Sequence, residues 1–344
     1  MKKQLLALAV GSMVVVPSVA LADKGPTVYG KVNVSYENQD DGTNDEWKLE
    51  SNSSRIGVKG ALDLDVDQLK AVYQAEFQMA VDDGNNGSES DKQTFSQRNI
   101  FGGFEHATLG RLIAGKFDSP FKKSQGEIDQ FGDLRGDINK IVGGSERISN
   151  IIQYSTPKLA NAVTVNVAMV PGEGTTVGNE RRDSPADGIS SSVVFDNGML
   201  YGSVGYDSEI KTNLFDLGDA DTLVDAMHVA AKLNMDQFEV GALIQQSENS
   251  DSAVDGGDYK DTTYIVSGAF KVDRWKLKAQ YGVTDTDLTN DKVKLTAVGA
   301  DYKMAKASKV FGYFAKVESD NTGAGALAID DTTFGIGFEH KFSM

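Results

Sequence analysis

Along most of this chain, apolar and polar residues alternate one for one. From Leu69 to Val81 the odd positions are Leu69, Ala71, Tyr73, Ala75, Phe77, Met79 and Val81, and the even ones are Lys70, Val72, Gln74, Glu76, Gln78 and Ala80. Successive side chains of a strand point to opposite faces, so the segment predicts a strand with one apolar and one wet face. Trp275 to Val283 repeats it, with Trp275, Leu277, Ala279, Tyr281 and Val283 against Lys276, Lys278 and Gln280. Near the beginning, Val28, Val32, Val34 and Tyr36 oppose Lys31, Asn33 and Ser35. About sixteen such segments follow one another, typically ~8–11 residues long, the length a tilted membrane strand requires. They fall near 27–36, 47–60, 69–81, 97–105, 110–117, 147–156, 162–170, 188–195, 199–206, 225–233, 237–246, 262–270, 274–283, 293–302, 309–318 and 332–342.

The connections alternate as well. Short ones carry turn residues, as in Asp63 to Gln68, Asp196-Asn197-Gly198, Met235-Asp236 and Val272-Asp273. Long ones are acidic and rich in Gly, Asn and Ser: Glu37 to Glu46, Asp82 to Ser96, Pro171 to Asp187, Asp207 to Val224, Ser247 to Asp261 and Ser319 to Asp331, with Thr284 to Lys292 a shorter member. A soluble β-sandwich also alternates, but its connections have no reason to be short at one end and long at the other. The pattern therefore predicts an all-β fold, a 16-stranded antiparallel transmembrane β-barrel with its apolar face in lipid and its polar face on a water-filled lumen. An even strand number puts both termini at the short-turn, periplasmic end. Tyr36, Trp47, Tyr154, Tyr206, Trp275 and Tyr302, near segment ends, are candidates for interfacial girdles.

The first residues form a separate unit. Met1-Lys2-Lys3 is a basic start, Leu5 to Val16 is apolar apart from Gly11 and Ser12, and Ala20-Leu21-Ala22 is a small-x-small cleavage pattern. The apolar stretch is shorter than the roughly 20 residues of a spanning helix. Residues 1–22 are thus expected to be a signal peptide and residues 23–344 the barrel, in a chain exported to the bacterial outer membrane. Without Lys2 and Lys3 the chain has 32 Lys and Arg against 50 Asp and Glu, a net charge of -18.

Composition narrows the chemistry. No cysteine is present, which excludes thiol catalysis, disulfides and thiolate metal sites. The acidic balance argues against a nucleic-acid partner. Only His106, His228 and His340 are available for acid–base work, and no Gly-x-Ser-x-Gly elbow surrounds a serine, so no catalytic residues are expected. Asp40 to Glu46 and Asp285-Thr286-Asp287 do not have the spacing of a twelve-residue calcium loop and read as solvated acid, so no metal and no cofactor is expected. Gly102-Gly103 and Gly143-Gly144 do not precede a helix and read as close backbone approaches or bends rather than phosphate loops.

One connection differs from the rest: about 30 residues between Lys116 and Arg147 have little strand pattern, and a loop this long is usually functional. The residues around it carry a resemblance. Val28-Tyr29-Gly30-Lys31, Ser54 to Gly60, Leu69 to Glu76, Thr108-Leu109-Gly110-Arg111, Gly115 to Pro120, Arg147 to Pro157 and Gly335 to Phe342 together resemble the general porins of Gram-negative bacteria, most of all the neisserial type. The resemblance implies that the third long loop folds into the barrel and narrows the pore, its acids facing a row of arginines. Arg55, Arg98 and Arg147 stand at positions resembling that basic row, with Lys31 and Lys59 as further wall cations. Glu127, Asp129, Asp133 and Asp137 are the acidic candidates, and Gln130 departs from the family's usual carboxylate. Ser343-Met344 after Phe342 departs from the usual terminal aromatic.

The expected function is passive passage of ions and small hydrophilic solutes through a homotrimeric general porin, in contact with outer-membrane lipid and lipopolysaccharide. Opposed charge rows across a narrow slot order water and favour small polar solutes. Total charge favours cations, whereas the arginine row pulls the other way locally. Two alternatives keep the barrel: a channel specific for sugars or phosphate, or a structural or adhesin barrel acting through its acidic loops.

Overall fold

The alternating segments hydrogen-bond to one another in sequence and the last returns to the first. A computed structural model describes residues 25–82, 94–144, 146–177, 180–212, 214, 222–250, 257–287, 289–320 and 328–344; the expected signal peptide lies outside them. The strands are β1 (Thr27–Asp40), β2 (Asp45–Ser51), β3 (Arg55–Asp63), β4 (Leu69–Met79), β5 (Phe95–His106), β6 (Gly110–Asp118), β7 (Arg147–Ser155), β8 (Val163–Val170), β9 (Thr175–Val177), β10 (Glu180–Arg182), β11 (Gly188–Asp196), β12 (Leu200–Thr212), β13 (Thr222–Met235), β14 (Phe238–Asn249), β15 (Lys260–Val272), β16 (Trp275–Thr286), β17 (Asp291–Ala305), β18 (Ser308–Ser319) and β19 (Asp330–Ser343). β9 and β10 form a small separate hairpin. β2 and β3 both pair with β1, over its second and first halves, so they are one wall strand broken at Asn52–Ser54. The wall is a closed barrel of sixteen antiparallel strands.

Closure runs from Tyr29 opposite Ser343 to Asp40 opposite Thr332. Met344 continues the ladder through paired backbone bonds with Val28 at 2.8 and 3.1 Å. Phe342 lies over Gly30, where a Cβ would come within 2.5 Å of its ring. Closure removes the unpaired strand edges that hydrocarbon does not tolerate.

The burial pattern is that of a soluble protein inverted. Along β14 every second residue is exposed, and from Phe238 to Ile244 the exposed set is apolar: Val240 and Ile244 are each 55% exposed, against 1% for Leu243 and Gln245. The outer face is a lipid belt and the polar positions turn inward. Tyr36 stacks on Trp47 at 4.8 Å at the long-loop end, while Trp275–Tyr302 (4.8 Å) and Phe238–Phe270 (4.9 Å) pair at the turn end.

All sixteen expected wall strands are present, but many are longer than the sequence pattern. β1 runs to Asp40 and β2 resumes at Asp45, so the expected long connection Glu37 to Glu46 is mostly strand. β16 and β17 likewise extend to Thr286 and from Asp291, and β12 and β13 to Thr212 and from Thr222. Above the lipid both faces of a strand are wet, so hydropathy ceases to alternate while the backbone ladder continues. The β9–β10 hairpin within Pro171 to Asp187 has no apolar face and was invisible to the pattern for the same reason. At Gly103 a Cβ would sit 2.1 Å from the Leu112 carbonyl, a close backbone approach of the kind the glycine pair suggested.

Candidate functional site

The connection between β6 and β7 carries two short helical turns among its described residues. Helix α1 (Pro120–Ser124) starts it, with Pro120 in the first turn and the Ser119 hydroxyl accepting the Lys122 N–H at 3.1 Å. A 3-10 turn at Ile138–Lys140 ends it, capped by the Asp137 carboxylate on the Asn139 N–H at 2.8 Å. From Ile128 to Val142 the loop carries an apolar strip that the sequence analysis did not identify. Ile128, Ile138, Ile141 and Val142 pack against Ala230, Leu243, Ile265 and Leu295 of the wall, and Phe131 and Leu134 against Ala297, Phe311 and Tyr313. The signal was present in the sequence as small or aliphatic residues at inward positions of β13 to β18, where water alone would favour polar ones. Each fully buried Ile or Phe contributes about 1.5–3 kcal/mol.

Wall side chains satisfy the loop backbone. Gln280 accepts the Gln130 N–H at 2.9 Å and donates to the Gly136 carbonyl at 2.8 Å. Ser267 donates to the Ile128 carbonyl at 2.5 Å, Gln245 to that of Gly143 at 2.6 Å, and Thr284 to that of Ile141. Because these partners stand on successive strands of a closed ring, at positions opposite the lipid belt, the loop lies inside the barrel.

The other side of the inner wall is charged. Lys31 and Arg55 are direct partners across β1 and β3. Arg98 Nε donates to Glu76 Oε1 at 3.0 Å and its Nη1 to Gln78 at 3.2 Å; Arg55 Nη1 is 3.9 Å from the same Glu76 oxygen. Tyr29 donates to the other Glu76 oxygen at 3.0 Å. Glu76 is thus the buried hub of this cluster, and the sequence reading did not select it although it stands on the wet face of the first alternating segment. Backbone irregularities occur at this level: the β2–β3 break beside Arg55, a register shift at Ala75/Phe77 beside Glu76 and Arg98, and another at Gly115/Phe117 beside Asp118 and Arg147. Bulges re-aim side chains, and these aim charged groups inward.

The expected acids occupy different environments. Asp133, in a left-handed turn (φ 69°), holds Lys31 at 2.5 Å and Arg55 at 3.2 Å. Burial alone would push its carboxyl up, but Lys31 and Arg55 outweigh burial and hold it below the usual range. Asp129 and Asp137 do not face the arginines. Asp129 accepts the Phe131 N–H at 2.8 Å and Asp137 that of Asp133 at 2.8 Å, so both carboxylates shape the loop itself. Burial, reinforced for Asp129 by the neighbouring Asp137 charge, pushes both carboxyls up. Glu127 reaches the wall at Lys232, 3.3 Å away.

The expected cations also divide. Arg147 belongs to a second cluster, 3.1 Å from Asp118, which also accepts from Asn99 at 3.1 Å. Lys59 stands over the Tyr29 ring at 4.9 Å. Where Asp133 meets Lys31 and Arg55, the two charge rows are in contact rather than separated by a slot, because the loop tip reaches the far wall.

Among the histidines, His106 accepts turn N–H groups and His340 pairs with Ser308. His228 Nε2 is 2.9 Å from Ser124 Oγ. The single Ser124 hydroxyl proton goes to the Phe121 carbonyl at 2.8 Å, which can only accept, so the imidazole must donate. That is the reverse of nucleophile activation, and both groups are buried, Ser124 at the end of α1.

A barrel of sixteen strands, wet inside and crossed by an inward third loop, matches one family model, Gram-negative porin, over residues 7–322. The chain belongs to the Gram-negative porin family. Solved porins share the fold. The anion-selective porin of Comamonas acidovorans is 22% identical with a TM-score of 0.74, covering 92% of this chain and 99% of that one. OmpT of Vibrio cholerae in its trimer form is 17% identical (TM-score 0.62; 92% and 99% covered). Salmonella typhi OmpF, solved with daunomycin, is 15% identical (TM-score 0.64; 92% and 97%). No curated protein matches the chain. As a porin, the chain is an outer-membrane channel.

Proposed function

We propose that this porin is a general diffusion channel whose passage runs between the third loop and the charged wall of β1 and β3 to β7, without making or breaking bonds. The observation that carries this reading is the seating of the loop: its apolar strip is fixed to one side of the lumen, leaving the charged side to border the water. Arg55, Arg98 and Arg147, with Lys31 and Lys59, supply the cationic border, and Asp133 and Glu127 the loop carboxylates, while Asp129 and Asp137 hold the loop in shape. Rings of fixed charge near the narrowest point set selectivity, because distant charge is screened within about 8 Å at physiological ionic strength.

The lipid belt and aromatic pairs support direct contact with outer-membrane lipid and lipopolysaccharide. A homotrimer is the expected assembly, and a solved trimeric relative of the same fold supports it. Cleavage after Ala22 would make Asp23 the first mature residue, which N-terminal sequencing of the exported protein tests.

Planar-bilayer recording across a salt gradient tests the function. Stepwise ohmic openings are expected, and Arg55→Ala combined with Arg98→Ala is expected to move the reversal potential towards cations. An inserted protein that stays electrically silent overturns the channel; an unchanged reversal potential removes these arginines from the constriction.

A further inference from the structure

At the turn end of the lumen, below the third loop, the strands β13 to β19 and β1 carry a band of lysines. Three of them, Lys232, Lys271 and Lys276, surround the single carboxylate of Glu239, with Lys232 at 3.5 Å and Lys276 at 3.0 Å. Lys278 and Lys309 flank Asp301 at 3.1 and 2.9 Å. Lys31 and Lys341 flank Glu339 at 3.7 and 3.3 Å. Seven ammonium groups therefore share three wall carboxylates. Even with Glu127 and Asp133 reaching down from the loop, seven cations meet five anions.

What solvent meets is more one-sided still. The side chains of Lys271, Lys276, Lys309 and Lys341 are 31–49% exposed, whereas Glu239, Asp301 and Glu339 are 8–13% exposed. The wall carboxylates are walled in behind their lysines, so the accessible wall is cationic, with Glu127 of the loop, 44% exposed, as the accessible carboxylate beside it. Over this sector the turn end of the lumen is therefore basic.

We infer that the turn-end lysine band is an anion-binding station for small multivalent oxyanions, and that it makes conduction depend on direction. A low-dielectric wall focuses the field of clustered charge on the lumen. The groups are lysines rather than arginines. Hydrated point charges without a planar fork read charge more than shape, so phosphate and a dicarboxylate bind alike. The inference rests on the channel reading above and extends it to a second selectivity element away from the loop.

The test is single-channel recording in symmetric potassium chloride, with inorganic phosphate or succinate added to one chamber. The chain has no cysteine, so Thr43→Cys at the exposed β1–β2 connection, labelled from one chamber by an impermeant maleimide, reports orientation. Added on the turn side, either anion is expected to reduce the current at least twofold more than from the loop side. Lys→Gln at positions 271, 276, 309 and 341 is expected to abolish that sidedness and move the reversal potential towards cations. Each carboxylate keeps a buried lysine in this variant (Lys232, Lys278 or Lys31), so the wall stays paired. The matching Lys→Arg variant is expected to retain the block. Equal block from both sides, or sided block that survives Lys→Gln, overturns the station while leaving the channel standing. Absence of any opening in the unmodified protein overturns the channel itself.

Discussion

The inner wall has two sectors built on the same strand alternation. Along β13 to β18 the mid-height inward positions are Ala230, Leu243, Ile265, Leu295 and Ala297, and the third loop covers them with Ile128, Phe131 and Ile141. Across the lumen, the corresponding positions are Lys31, Arg55, Glu76 and Arg98, with backbone irregularities among them. The covered sector is held by area removed from water and by wall amides and hydroxyls on the loop backbone. The bare sector is held by shared carboxylates. An apolar patch inside a water-filled barrel is stable only when something covers it, whereas a charged patch can face water. The difference locates the loop, and the loop then defines the passage.

Removing an apolar anchor breaks the comparison most directly. Phe131→Ala is expected to cost roughly 3–5 kcal/mol of loop seating. Single-channel conductance should rise as the loop leaves the wall, with the barrel still folded; unchanged conductance would mean the loop is held by other contacts. Next in size is Asp133→Asn, which leaves Lys31, only 7% exposed, without its nearest carboxylate. An expected loss of roughly 1–3 kcal/mol should appear as a lower denaturation midpoint, accompanied by a reversal potential shifted towards anions.

A pH titration sharpens the same contrast. Asp129 and Asp137 have raised carboxyl values, so their contribution to seating is full below about 3.9, the ordinary Asp value, and is lost as pH rises through their folded values. Asp133 has a lowered value, so its anchor is full above about 3.9 and is lost as pH falls through its folded value. Lowering the pH from neutral towards the ordinary Asp value is therefore expected to slow amide exchange at Phe131 and Asn139, after correction for intrinsic rates. Only stronger acid should release the tip from Lys31. Faster exchange on that descent would contradict the assignment. The smallest effect is expected outside both sectors: Lys292→Ala, in an exposed pair with Asp285, should leave the denaturation midpoint unchanged.

The alternation made the strands legible because lipid on one side and water on the other impose opposite preferences at every second residue. Where that contrast ends, so did the reading: the strand extensions past Tyr36 and Val283 and the β9–β10 hairpin have water on both faces. The candidate site was legible unevenly. Lys31, Arg55, Arg98 and Asp133 form one cluster, but nothing in the spacing of Asp129, Asp133 and Asp137 distinguishes a carboxylate that reaches the far wall from two that cap their own loop. Glu76 and Gln280 looked like ordinary wet-face residues until their partners, distant in sequence, were in place.

The sequence by itself determined the class of fold, the number of wall strands, their order and which face meets lipid, because these follow from local period and turn length. Only the tertiary structure decided where the loop rests, which charges pair and which remain accessible to the lumen. Those outcomes depend on residues brought together by barrel closure, such as Lys31 with Asp133 or Gln130 with Gln280. A one-dimensional pattern fixes the direction in which a side chain points but carries no distance to what lies opposite.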